Sequence, residues 1–364
     1  MWERAKGLLG GLILAAALVG IHLALRGVGK EFFLTQLTMS IYYAVVVLGL
    51  SLLMGYAGQV SLGHGAFFAI GGYTTAILTT SNFLPWQDRP LIRALAAARV
   101  FVMKQDVFDE PLMAVAPWAA FLAAMIFTFA VAVFIGYSAL RLKGHYLAMA
   151  TLGFGLIVQR IVLGSTFTGA SDGVSNVPPW PLFAGLAISG KSALRTQNYY
   201  IAGAVLLVVI VLLWNLLHSR VGRALQAIHD RETAANTMGI NTAQYKLKAF
   251  VTSALLAAVA GVLFTHYTGG IGPSEAGALK SIRYVALAAA GGMGNIWAVA
   301  VTSITLNFLS LRGWFGSYDN AVFGIILIAI ISIAPEGPAK QINEWARQIA
   351  RRSKKTAEEH DAAA

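Results

Sequence analysis

Apolar runs of about 15–25 residues recur along the whole chain, and this spacing predicts an all-α polytopic membrane protein. The runs fall at 8–25, 32–54, 62–80, 116–140, 145–163, 199–217 and 249–269, with shorter ones at 281–290, 295–311 and 321–333. Together they give about ten transmembrane helices and place both termini on one side. The run at 281–290 is short for a full crossing and reads equally as a re-entrant segment. A transmembrane β-barrel would show short alternating segments instead, and the chain has none. Arg4 and Lys6 precede the first run, which is long for a signal sequence and lacks a small-x-small cleavage site, so it reads as an uncleaved helix with a cytoplasmic N-terminus.

Polar segments divide the runs. Residues 82–111 set Arg89, Arg93, Arg99 and Lys104 against Asp88, Asp106, Asp109 and Glu110, and LIRALAAARVFVMK within them predicts a short surface helix. Residues 164–198 are rich in Gly, Ser, Pro and Asp and read as a long structured loop. Residues 1–338 form one membrane domain, and 339–364 a basic tail whose Ile342, Trp345, Ala346 and Ile349 share a helical face suited to anionic lipid.

Composition removes several classes. With 57% hydrophobic and 12% charged residues and a mean hydropathy of +0.67, the chain is no soluble globular domain. The net charge of +11 lies in membrane-flanking loops and the tail, which points to topology and lipid rather than nucleic acid. Its bias places 218–248 and the tail in the cytoplasm, and 82–111 and 164–198 outside. The absence of cysteine excludes disulfides, thiolate catalysis and cysteine metal sites.

The chain is organised around residues 55–73, GYAGQVSLGHGAFFAIGGY, with six glycines in nineteen residues. Each should weaken a helix by about 0.5–1 kcal/mol relative to alanine. In a membrane, glycine allows close backbone approach and tolerates a break that faces protein or a wet cavity. Ser61 is placed to cap a helix restarting at Leu62, after which Gly65, Ala69, Gly72 and Ala76 make one small face while Phe67 and Phe68 point elsewhere. The stretch reads as a discontinuous helix bordering a translocation pathway, with Gly55, Gly58, Gln59, Ser61, Gly63, His64, Gly65 and Gly72 as candidate residues. The alternative is a tightly packed span in which His64 only bonds backbone at a helix break. No metal ligands accompany His64. Arg160 falls inside a span, near the outer end where its side chain can snorkel, and no carboxylate falls inside one.

Residues 185–192, GLAISGKS, match the phosphate-loop pattern, but PPWPLFA precedes them and no strand with a terminal carboxylate lies near, so nucleotide binding is rejected. The segment SRVGRALQAIHDRETAANTMGINTAQYKLKAF in 218–248 is more informative. Leu225 and Ile228, then Ala234 and Ala235, recur at helical spacing; Asp230 or Thr233 can cap a second short helix, and Gly239 can close it. Small side chains let such a helix pair sink into a partner, with Arg223 and Arg231 meeting acidic rims. A solvated connector is the plain alternative.

At these residues the chain resembles a known family. GYAGQVSLGHGAFFAIGGYTTA is similar to the glycine-rich segment of permease subunits of branched-chain amino-acid ABC importers, and GRALQAIHDRETAANTMGIN to their coupling loop. RLKGHYLAMATLGFG, TGASDGVSNVP and LAAAGGMGNIWA follow in the family's order, so the resemblance covers about 37–338 and is closest to the M-type subunit. It implies a subunit of the bacterial inner membrane with no catalytic site and no cofactor of its own. Its partners would be ABC ATPase subunits, a sister permease and an external substrate-binding protein. Arg223, Asp230, Glu232, Ala234, Ala235, Gly239 and Ile240 would lie at the ATPase contact. The cargo would be a branched-chain or other hydrophobic amino acid, or, on the same architecture, urea or a short amide. An ion-coupled transporter would need ionisable coupling sites within the membrane, and a membrane enzyme would need clustered catalytic groups.

Overall fold

The computed structural model describes residues 2–313, apart from 98, 106–110, 141, 143 and 183–184, and scattered positions between 318 and 332. The run expected at 321–333 is described only at scattered positions, and the tail 339–364 lies outside the described residues. Among the described residues, six stretches are long and apolar enough to cross a membrane: α1 (Trp2–Gly27), α2 with its continuation (Phe33–Tyr56), α5 (Pro117–Ala139), α6 (His145–Gly164), α7 (Arg195–Leu217) and α10 (Thr242–Thr268). Three shorter helices join them, α3 (His64–Thr80), α11 (Ala278–Gly291) and α12 (Ile296–Leu311). A short α4 (Pro90–Ala97) and the pair α8 (Arg220–Asp230) and α9 (Glu232–Thr237) stand at the ends of the bundle.

Helix α3 is the axis of the bundle. Its residues are buried on nearly every side, because glycine and alanine bring neighbouring backbones close. Gly65 and Gly72 meet Ser281 and Ile271, while Gly71 lies against the Ala258 backbone of α10. The phenylalanines do point away from that small face, yet both are fully buried. Phe68 packs 5.8 Å from Tyr43 and 5.4 Å from Phe264, and Phe67 packs 5.1 Å from Phe154 and 5.6 Å from Phe250.

Contacts between helices fix two opposite ends. At one, Gly10 and Trp214 approach Trp297, Gly136 approaches Leu247, and Gly58 meets His229. This end carries α8 and α9. At the other, Val174 bridges to Ile271, His22 bonds Tyr200, and Gln36 bonds the Leu311 carbonyl. Segments 82–111 and 164–198 gather at that second end.

Two expectations are corrected, and the long loop gains detail. The 82–111 segment holds α4 and also an antiparallel hairpin, β1 (Phe101–Gln105) with β2 (Pro111–Val115), pairing Phe101 with Val115. Its apolar, β-prone residues read in sequence as the continuation of a helix; pairing over the end of α3 buries Met113 to Val115 instead. A second small pair, β3 (Trp180–Pro181) with β4 (Ala187–Ile188), lies in the other loop. There Asn198 holds both the amide and the carbonyl of Ser189, so part of GLAISGKS is turned inward onto α7. Finally, α10 starts at Thr242 rather than 249, because Asn241 caps it and its first turns leave the apolar layer. Hydropathy marks only the apolar part of a helix.

Candidate functional site

After Ser51 the α2 backbone widens into a π turn over Leu52–Tyr56, and residues 58–63 are not helical. Gly55 is required where it stands, since a Cβ would overlap the Met293 carbonyl oxygen. Gly58 adopts φ +65, a left-handed conformation that other residues rarely tolerate, and the Gln59 amide then donates to the Leu53 carbonyl at 3.1 Å. The helix restarts at His64, not at Leu62, with Gly63 in the cap position. Ser61 does not cap it in the expected register; its Oγ accepts only a long bond of 3.4 Å from the Gly63 amide. The reason is Thr151 of α6, whose Oγ1 takes the Leu62 amide at 2.9 Å and keeps that residue out of the helix.

Polar groups at the break are distributed over the surrounding helices. His64 Nε2 lies 2.6 Å from Ser253 Oγ of α10, and the Gly65 amide donates to Ser281 Oγ of α11 at 3.0 Å. Ser51 Oγ donates to the Met293 carbonyl at 2.9 Å, and Tyr56 Oη to the Gly294 carbonyl at 2.6 Å. Gln59 Oε1 and His64 Nδ1 are buried without a hydrogen-bond partner among the described residues. Thus Gly55, Gly58, Gln59, Ser61, Gly63, His64 and Gly65 lie together, while Gly72 lies two turns along α3. An apolar groove of about 760 Å³ between α3, α5 and α6 contains none of them.

The α8–α9 hairpin lies directly beneath the break. Ser219 caps α8, accepting from the Val221 amide at 3.1 Å, and Gly222, Ala224, Leu225 and Ile228 form its buried face. His229, in its last turn, abuts Gly58; nothing in its sequence context singled it out. The expected caps of α9 are not used: Asp230 ends α8, and Arg231 takes the cap position without a side-chain bond. Gly239, at φ +82, closes α9, and the Ile240 amide returns to the Ala235 carbonyl at 3.1 Å. Arg223, Asp230, Ala234 and Gly239 are exposed and Ile240 is half-buried. Ala235, only 4% exposed, is part of the hairpin's own packing and not of its outer surface. Met238, 82% exposed, is the apolar tip. Glu232 is half-buried and paired with Lys246 at 2.6 Å, tying α9 to the start of α10.

The expectation that no carboxylate is buried within the bundle is also corrected. From Thr268 the chain passes through 269–277 with little helix, and Glu275 there is only 8% exposed. Its Oε1 lies 2.9 Å from Lys280 Nζ, and Tyr43 Oη donates to the same carboxylate at 3.2 Å. Helix α11 begins at this level and ends where Met293 and Gly294 meet Ser51 and Tyr56. Segment 268–292 therefore passes from one end of the bundle to the other, with 269–277 lying outside any α-helix. Glu275 escaped notice because it lies between apolar runs. Arg160 is exposed on α6.

The profile described as branched-chain amino acid transport system / permease component matches residues 32–331. The high-affinity branched-chain amino acid transport system permease protein LivM of Salmonella typhimurium is 30% identical over 82% of this chain and 68% of its own length, and that of Escherichia coli matches equally. LivH of Salmonella typhimurium is 26% identical over 84% of this chain and 95% of its own. No solved structure matches. The chain belongs to the permease-component family of branched-chain amino acid transport systems.

Proposed function

We propose that this chain is the membrane-spanning half of an ATP-driven importer of branched-chain or other hydrophobic amino acids. Separate ATPase subunits would bind the α8–α9 hairpin, a sister permease would complete the pathway, and an external binding protein would deliver cargo. Catalysis and nucleotide would belong to the partners. The observation that carries the reading is the contact of His229 with Gly58, which joins an exposed hairpin to the interrupted crossing. A hairpin displaced by its partner acts on the break without an intermediary. In this reading the hairpin and both termini face the cytoplasm of a bacterial inner membrane, while 82–111 and 164–198 face outward.

Reconstitution tests it. Proteoliposomes holding this chain, a sister permease, the ATPase and a binding protein should accumulate leucine when ATP is supplied to the hairpin side. Accumulation driven by an ion gradient without ATP would overturn the reading, and ATP-driven accumulation of urea in place of leucine would change the cargo. Single cysteines at 95, 175 and 230 test orientation: an impermeant thiol reagent on intact cells should label the first two and spare the third.

A further inference from the structure

Glu275, Lys280 and Tyr43 form a charged cluster at mid-depth, since Tyr43 lies near the centre of the Phe33–Tyr56 crossing. Lys280 Nζ donates to Glu275 Oε1 at 2.9 Å and to Tyr43 Oη at 3.0 Å, and it stands 4.5 Å from the centre of the Tyr43 ring. The cluster is not sealed. The Lys280 side chain is 27% exposed and that of Glu275 11%, while neighbouring Leu279 and Ile282 are 82% and 46% exposed. Helix α11 thus leaves a lysine partly exposed at a depth where lipid is a poor neighbour for charge; such groups face protein or a watery passage.

We propose that Glu275, Lys280 and Tyr43 are a binding station for a zwitterionic α-amino acid on the translocation route. The inference rests on the permease reading above. The cargo's ammonium goes to Glu275 and its carboxylate to Lys280, with the Tyr43 hydroxyl keeping its contact to either. The resident pair is neutral as a whole, and so is the cargo. Insertion exchanges one ion pair for two and leaves the net charge of the site, which includes Arg283 three residues along α11, as it was. An uncharged amide gains nothing there, and a cargo bearing a single charge leaves one partner unmatched.

The test uses the complete assembly in proteoliposomes, with Leu279→Cys as a reporter beside the cluster and no other cysteine. A charged methanethiosulfonate reagent should modify the introduced thiol in at least one nucleotide state. Leucine should slow that reaction, whereas isoamylamine and isocaproate, each lacking one charge, should not. In Glu275→Gln/Lys280→Met, which keeps volume and leaves no charge unpaired, the assembly should still co-purify. The leucine concentration needed for protection should rise about tenfold or more. No modification in any state, equal protection by all three compounds, or unchanged protection in the double variant would each overturn the station. ATP-driven leucine uptake by the unmodified assembly is measured alongside. Uptake without protection overturns the station alone, and no uptake overturns the permease reading with it.

Discussion

Between α2 and α3 the freed backbone is met by neutral partners: Thr151 takes the Leu62 amide, Ser281 the Gly65 amide, and Ser253 the His64 ring. Between α10 and α11 a carboxylate and an ammonium stand instead, Glu275 with Lys280. Both interruptions lie at similar depth and touch the start of α3. Neutral hydrogen bonds in such a site contribute about 1 kcal/mol each, while a buried ion pair is strongly destabilising only when one partner is removed. The first interruption can exchange partners at small cost. The second holds its charges together unless other charges replace them.

That contrast can be broken at its steepest point first. Glu275→Leu strands Lys280 and should lower stability in detergent by about 3–5 kcal/mol, toward the lower figure because the lysine is partly exposed. The paired change Glu275→Gln/Lys280→Met should retain most of the stability; an equal loss in thermal unfolding would mean that the charges are not what holds the segment. Next, Gly55→Val forces a side chain into the Met293 carbonyl, and overpacking of this kind costs about 1–3 kcal/mol. Membrane yield and melting temperature read it, and a wild-type melting curve would show that the π turn gives way freely. Ser253→Ala leaves His64 Nε2 unpaired and should cost about 1–3 kcal/mol, at the low end if water enters. Thr151→Val should cost about 1 kcal/mol and free the Leu62 amide, visible as faster amide exchange there. Smallest for stability is Met238→Asp on the exposed tip of the hairpin. It should leave melting unchanged and abolish ATPase co-purification; normal co-purification would detach the hairpin from that role.

Much of the fold was legible because apolar length is a strong signal. Runs 116–140, 145–163 and 295–311 lie within a few residues of α5, α6 and α12. Glycine at 55, 58 and 63 marked the interruption, but its end depends on Thr151, which no local pattern connects to Leu62. The hairpin's closing turn at Gly239 was readable from chain chemistry. Which alanine faces inward was not, since Ala234 and Ala235 are equivalent as letters and differ only by the helix phase that tertiary packing selects. Glu275 shows the same limit in another form. A carboxylate between apolar runs looks solvated until the short turn that carries it folds back into the bundle.

The early start of α10 has a mechanical consequence. Its 27 residues make a rod of about 40 Å, some 10 Å longer than a hydrocarbon layer of about 30 Å. The overhang carries Lys246, clamped to Glu232 of α9, and halfway along the same rod Ser253 grips His64. A continuous helix has little axial slack, so the hairpin and the break share one stiff lever as well as their direct contact. A tilt imposed at the protruding end reaches the buried histidine as a swing of the same sign only if the pivot lies outside both; a pivot between them reverses it.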